Sequence, residues 1–227
     1  MSNDLMRIRQ EELVVNPSNR VPIAMCLDAS ASMSGDPMKE LNEGIRLFIE
    51  AVRQDPVASS SVEMSVVTFS DQARTEQDFQ TLANVIECGL AATGGSTNLG
   101  GGVNLALDLL EKRKEEYKRA GIDYFQPWIV LMTDGQPTTN EHIAAGSRTC
   151  DMEQAGKLVV FPIAIGNAAE LSTLAMFSKK RQPLRLKGLN FREFFQWLSK
   201  SVSRVSQSRP GEKVPLDIEG IKGWAEI

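Results

Sequence analysis

The sequence is organised around apolar runs too short to be helices, alternating with longer segments of helical period. "VPIAMCL" (21–27), "VEMSVVTF" (62–69) and "WIVLMTD" (128–134) are such runs; the first leads into Asp28 and the third ends at Asp134. Continuous apolar stretches of this length read as strands covered on both faces, the condition that parallel sheets impose. Between the first two, Met38, Leu41, Ile45, Phe48, Ile49 and Val52 recur at steps of three, four and one, giving one apolar helix face. Phe191, Phe194, Phe195, Leu198, Val202 and Val205 form a second stripe near the C-terminus. "ARTEQDFQ" (73–80) is polar and reads as an edge strand. Strand followed by helix in this order predicts an α/β fold: a doubly wound, mainly parallel central sheet flanked by helices, with an antiparallel edge strand.

Local signals refine this plan. Asp36 and Pro37 read as a helix start, with Asp36 capping and proline at the first helical position. Asn190 and Glu193 have the spacing of a capping box. Residues 99–119 begin apolar and end in "EKRKEEYKR", read as the solvated end of a helix with Lys112–Glu116 and Glu115–Arg119 at pairing distance. Pro162 lies inside the apolar run "LVVFPIAIG" (158–166) and predicts a bulge or an interrupted strand, because proline removes a ladder donor. Residues 1–19 read as an N-terminal extension, 20–206 as one domain, and 207–227 as a tail. "SQSRPGEKVPLDIEGIKGWAEI" (206–227) loses periodicity, so a linker or extended arm is expected, with Trp224 either part of a disordered terminus or an anchor docking on the domain or on a partner.

A net charge of -4, from 25 basic and 29 acidic residues, argues against nonspecific nucleic-acid binding, which needs a basic face. Cys26, Cys88 and Cys150 are odd in number and far apart, with no CxxC pair, which disfavours zinc and points to a reduced, cytoplasmic protein. "MSNDLMRIRQEEL" lacks the apolar core of a signal peptide, and no run approaches the roughly 18–20 residues that span a bilayer. His142 is the only histidine and no GxSxG elbow is present, so a serine hydrolase is excluded.

The chemistry concentrates where the apolar strands end. In open parallel sheets ligands gather beyond the carboxyl ends of strands, where Asp28 and Asp134 both fall. Asp28, Ser30 and Ser32 follow an i, i+2, i+4 spacing, which in an extended segment points three oxygens the same way. Calcium and magnesium take oxygen ligands, and magnesium keeps several waters. One carboxylate and two hydroxyls would leave such an ion undercompensated, and Asp134 would neutralise more. The glycine-rich "TGGSTNLGGG" (93–102) offers Thr97 just before a helix; without Gly-Lys-Ser/Thr it is not a phosphate-binding P-loop.

Asp-x-Ser-x-Ser after an apolar strand, then the threonine of "GGSTN", then "MTDG", resembles the metal-ion-dependent adhesion site of the von Willebrand factor A domain. Position by position, the resemblance implies Asp28, Ser30 and Ser32 as a first motif, Thr97 as the second and Asp134 as the third. It implies Mg²⁺ (with Mn²⁺ or Ca²⁺ as substitutes) held partly through water, and an Asp or Glu of a protein partner completing its shell. The resemblance covers about residues 20–206. "LDASASMSGDPMKELNEGI", "MTDGQPT" and "FREFFQWLSKSVS" are similar to bacterial TerY-type members. Those are cytosolic proteins associated with tellurium resistance and stress, encoded beside a protein kinase and a PP2C-type phosphatase. The implied role is a metal-dependent adaptor in such a signalling system, without catalysis, nucleic acid or membrane.

Two other readings use the same residues. Asp28 with Mg²⁺ nearby suits a phosphoryl-transfer nucleophile, although the second acid or lysine that such chemistry needs is not adjacent. Alternatively, Ser30 and Ser32 satisfy backbone groups in a turn and Asp134 opens an ordinary Asp-Gly turn, leaving a structural scaffold.

Overall fold

The computed structural model describes residues 12–85, 89–212, 214–216, 221 and 223–226. Strand β1 (Val21–Asp28) is buried at every position and pairs in parallel with β2 (Val62–Phe69) on one side and β4 (Trp128–Thr133) on the other. Beyond β4 come β5 (Val159–Ala164) and β6 (Leu184–Leu186), both parallel. β3 (Ala73–Thr81) closes one edge and β7 (Ala225–Glu226) the other, both antiparallel, giving the order β3-β2-β1-β4-β5-β6-β7.

The alternation of side chains along β1 sorts the core into two layers. Val21, Ile23, Met25 and Leu27 face α1 (Asp36–Arg53) and α6 (Phe191–Ser206), which share this side of the sheet. Ala24 and Cys26 face α3 (Leu99–Ala120) and α4 (Glu141–Gln154). Short helices α2 (Pro56–Ser61) and α5 (Leu171–Leu174) complete the crossovers. The chain winds outward from β1 to β2 and β3, then returns through α3 to β4 and winds the other way. The reversal falls between β1 and β4, so their carboxyl ends flank the crevice of a doubly wound sheet. Asp28 closes one of these strands and Asp134 follows the other.

Several local expectations need correction. The N-cap of α1 is Gly35, not Asp36; Gly35 has φ +82°, so the chain enters the helix through a conformation open to glycine, and Pro37 sits one position deeper than expected. Asn190 is the N-cap of α6, but its side chain makes no capping bond. β5 runs through Pro162 without interruption. Val159 and Ile165 donate to Pro127 and Thr133 on the β4 side, each at 2.8 Å, so the nitrogens of 160, 162 and 164 point away. On that side β6 begins only opposite Ile163, and the Val160 N–H is taken by Glu153 Oε1 at 3.3 Å. Proline is therefore tolerated where the ladder demands no donor.

The tail expected as a linker or extended arm returns to the domain. Trp224 is buried against Phe194 and Trp197 of α6, with ring centroids 5.7 and 6.0 Å away, and β7 then pairs with β6. The anchor alternative for Trp224 is thus the one observed.

The charge run of α3 is not simply solvated. Val103, Ala106, Leu110, Arg113 and Tyr117 continue one face of the helix into the interior. There Glu63 of β2 accepts Arg113 Nε at 2.7 Å, Arg113 Nη2 at 2.7 Å, Arg20 Nε at 2.9 Å and Tyr117 Oη at 2.6 Å. All three charged side chains are fully buried. Burial alone would push the Glu63 carboxyl up; the bonds and charge of Arg113, the Tyr117 hydroxyl and the charge of Arg20 outweigh it and hold it below its ordinary range. Nearer the surface, Lys112 reaches Asp78 at 3.5 Å and Glu115 pairs with Lys118 at 2.9 Å.

Candidate metal centre

Asp28 ends β1 with no solvent exposure, yet neither carboxylate oxygen lacks a partner. Oδ1 accepts the Ser30 N–H at 2.9 Å, and Oδ2 accepts the hydroxyl of Thr133, the last residue of β4. The two strand ends at the crevice are therefore joined through this side chain.

Beyond Asp28 the chain does not stay extended as the spacing of Ser30 and Ser32 suggested. Residues Ala31–Met33 form a turn of 3₁₀-helix, with Met33 N–H donating to Ser30 O at 3.0 Å and its side chain buried in the core. The serines converge all the same. Ser30 Oγ lies 3.0 Å from Ser32 Oγ, and Ser32 Oγ donates to Asp134 Oδ1 at 2.8 Å. The turn curls Ser32 back over the crevice toward β4, where a straight strand would have carried it away.

Thr97 arrives from the third direction. Its N–H donates to Thr138 Oγ1 at 3.2 Å and its carbonyl accepts the Thr138 N–H at 3.0 Å, which ties it to the loop that carries Asp134. A Cβ placed on Gly135 would stand 3.3 Å from Thr97 Oγ1, so this buried hydroxyl borders the Asp134–Gly135 turn. Asn98 caps α3 by accepting Gly101 N–H at 3.0 Å and fixes where the loop becomes helix. All five predicted residues thus gather at one end of the sheet.

Sequence reasoning missed the residues that hold them. Thr133 bridges to Asp28; Ala29 N–H donates to Phe69 O at 2.8 Å, and Thr93 N–H to Ala29 O at 2.6 Å. Asp71, just past the end of β2, binds the glycine-rich loop. The same rule that singled out Asp28 and Asp134, a carboxylate at a strand's carboxyl end, applied equally to Asp71. His142 plays no part in the cluster: its Nδ1 contacts Thr139 O at 2.7 Å, in the first turn of α4.

Burial pushes both site carboxyls up from their ordinary range. For Asp28 the desolvation outweighs the bonds from Thr133 and Ser30, and the nearby Asp134 charge adds to it; for Asp134 desolvation outweighs the bond from Ser32. Two carboxyls pushed toward the neutral form, with the Ser30 and Ser32 hydroxyls linked to Asp134 and the Thr97 hydroxyl beside Gly135, form a donor set of hard oxygens that a divalent cation suits. Nitrogen and sulfur ligands are absent from it, so the chemistry of the set fits the alkaline-earth class.

The five residues thus lie in an oxygen-lined crevice at the switch point of an open α/β sheet. Residues 23–195 match the von Willebrand factor type A domain, and the chain belongs to that family. Similar solved structures share the fold at low identity. Proximal thread matrix protein 1 from the mussel byssus, with a zinc-occupied MIDAS motif, is 18% identical with a TM-score of 0.55, over 85% of this chain and 47% of that one. The pilus adhesin SpaC from Lactobacillus rhamnosus GG is 11% identical with a TM-score of 0.67, over 82% and 30%. The vWF domain of the pilus tip protein Mfa5 from Porphyromonas gingivalis is 12% identical with a TM-score of 0.64, over 87% and 99%. The chain therefore spans less than half of the first two of these proteins. No curated protein matches the sequence. Among the described residues, no helix is long and apolar enough to cross a membrane.

Proposed function

We propose that the chain is a metal-dependent protein-binding adaptor that captures an Asp or Glu of a partner through Mg²⁺ held at Asp28, Ser30, Ser32, Thr97 and Asp134. The observation that carries this is the continuous contact from Ser30 Oγ through Ser32 Oγ to Asp134 Oδ1, at 3.0 and 2.8 Å. Oxygens bound to one octahedral magnesium at 2.0–2.1 Å stand roughly 2.9 Å apart at adjacent corners. The spacing already present is the ordinary hydrogen-bond distance and is also compatible with such an ion, with Mn²⁺ as a substitute. A site-bound ion supplies positive charge at the crevice mouth. Ser30, Ser32 and Thr97 offer neutral oxygens to it, while Asp28 and Asp134 supply charge directly or through water. Two carboxylates balance the formal charge of such an ion, so a further carboxylate would enter by replacing one of the waters that magnesium keeps.

The zinc-occupied MIDAS of the mussel protein supports divalent metal as the occupant of this kind of site. The likeness of three stretches to TerY-type proteins supports a place in a bacterial tellurium-resistance or stress-signalling system, with a kinase and a PP2C-type phosphatase as candidate partners in the cytoplasm. The test is retention of bacterial proteins on the immobilised chain with Mg²⁺ and with EDTA. A partner retained only with metal, and released by free acetate or glutamate at high concentration, is the expected result. Equal retention in both conditions would remove the crevice from the working surface.

The site's electrostatics give a second expectation. Asp28 and Asp134 have folded-state pKa values raised above the unfolded ones. Their contribution to metal-free stability is fully present below the ordinary carboxylate range near pH 4 and is lost as pH rises through the folded values. Mg²⁺ binds the ionised pair, so its stabilisation grows over the same interval. The rise in Tm on adding saturating Mg²⁺ should be several degrees at pH 7.5 and much smaller at pH 4.5, at constant ionic strength. A rise of equal size at both pH values would mean that the ion binds elsewhere.

A further inference from the structure

Asp71 stands out because it is exposed, lies outside the predicted metal-ligand set, and nonetheless makes a concentrated group of bonds. A single oxygen, Oδ1, accepts the Ser96 hydroxyl at 2.6 Å, the Ser96 N–H at 2.9 Å and the Gly95 N–H at 3.1 Å. These bonds, the Ser96 hydroxyl foremost, hold the carboxyl below its ordinary range. Gly94 beside them has φ +71°, and a Cβ there would stand 2.7 Å from Asp71 Oδ2, so the loop can come this close only with glycine at that position.

The residue after Ser96 is Thr97. Its far side is fixed by the reciprocal bonds with Thr138, which belongs to the Asp134 loop. Asn98 N–H donates to Ser70 O at 2.8 Å, next to Asp71 in sequence. Thr97 is therefore suspended between two anchors, one on the β4–α4 loop and one on the β2–β3 turn.

We propose that Asp71 is a positioning residue for the metal centre: through Gly95 and Ser96 it holds the glycine-rich loop so that the Thr97 hydroxyl is in place before the ion arrives. This rests on the metal-site reading above. A loop with three glycines between 89 and 95 is costly to order, and whatever is ordered in advance is not charged against binding. If Asp71 served only the turn it sits on, its loss would leave metal affinity untouched.

The experiment compares wild type, Asp71→Ala and Asp71→Asn by calorimetric titration with Mg²⁺ and Mn²⁺, with amide exchange of the loop followed by NMR in EDTA. Asparagine keeps an Oδ1 acceptor in the same place, so it separates the bonds from the charge. The expected pattern is Mg²⁺ binding about tenfold weaker in Asp71→Ala, the scale of one lost ordering anchor, and largely restored in Asp71→Asn. Exchange at Gly95 and Ser96 should be faster in Asp71→Ala without metal. Wild-type binding with unchanged affinity in Asp71→Ala would overturn the positioning role and leave the metal site standing. Weaker binding with unchanged exchange at Gly95 and Ser96 would also overturn it, since the loss would then be one of charge. A wild type that binds neither ion would overturn the metal-site reading and this inference with it.

Discussion

Asp28→Ala is expected to abolish Mg²⁺ binding, by more than about 100-fold, while the fold survives. Two unit charges about 4 Å apart interact by about 4 kcal/mol at an effective dielectric of about 20, and tenfold in affinity is about 1.4 kcal/mol, so loss of one carboxylate beside a divalent ion exceeds that threshold. The structural cost is smaller. Removing the side chain leaves the buried Ser30 N–H without its acceptor, about 1–3 kcal/mol, while the Thr133 hydroxyl can still turn to Gly135 O at 3.4 Å. Against this, burial already disfavours the ionised carboxylate, so its removal also relieves a strain of the metal-free state. Circular dichroism and a melt in EDTA should find a folded protein, and Asp28→Asn, which keeps an acceptor for Ser30, should melt closer still to wild type. Unfolding of both variants would make Asp28 a structural residue and remove the basis for treating it as a ligand.

The largest stability effect is expected at the opposite end of the sheet. Glu63→Ala removes the acceptor shared by Arg20, Arg113 and Tyr117 and leaves two guanidinium groups in a fully buried site. Breaking a buried ion pair from one side typically costs about 3–5 kcal/mol, a large part of the 5–15 kcal/mol that holds a domain together. Remaining bonds soften the loss: Arg113 Nη1 reaches Glu116 Oε2 at 2.7 Å, and Arg20 also donates to the backbone carbonyls of Asn16 and Ser18. Chemical denaturation should show a midpoint far below wild type with an unchanged slope. Replacing the cluster as a whole, with Glu63→Leu, Arg20→Met, Arg113→Met and Tyr117→Phe together, should recover much of the loss, because the penalty lies in the unpaired charge and the hydroxyl that shares its acceptor. A Glu63→Ala protein as stable as wild type would show that these arginines reach water or other acceptors.

Much of this was legible before any coordinates. The central strands announce themselves because both faces are covered and the pattern needs no partner to be read: "VPIAMCL" and "WIVLM" are apolar throughout. Helices α1 and α6 follow from their stripes. Asp28 and Asp134 of the candidate site were legible because they fall where strand ends must fall, and Thr97 because its glycine-rich loop runs into a helix. What failed were properties set by distant chain. Ser32 reaches Asp134 through a 3₁₀ turn anchored by Met33, which the spacing alone read as extended strand. Arg113 sits on the buried face of α3 because Glu63, 50 residues earlier, waits there; counted by charge it belongs to a solvated run, counted by steps of three and four it continues Val103, Ala106 and Leu110. β6 and β7, of three and two residues, are held by pairing, β6 between β5 and β7 and β7 on β6, and Trp224 is buried because α6 offers Phe194 and Trp197. Pro162 predicts a bulge or an interruption only as long as the side of β5 that lacks a partner is unknown.

The central claim is that a divalent ion sits among Asp28, Ser30, Ser32, Thr97 and Asp134. A calorimetric titration of Mg²⁺ into the wild-type chain at pH 7.5, with Asp28→Ala in parallel, tests it most directly. One ion per chain in the wild type and none in the variant is the predicted result. No binding in the wild type, or equal binding in both, would contradict the account.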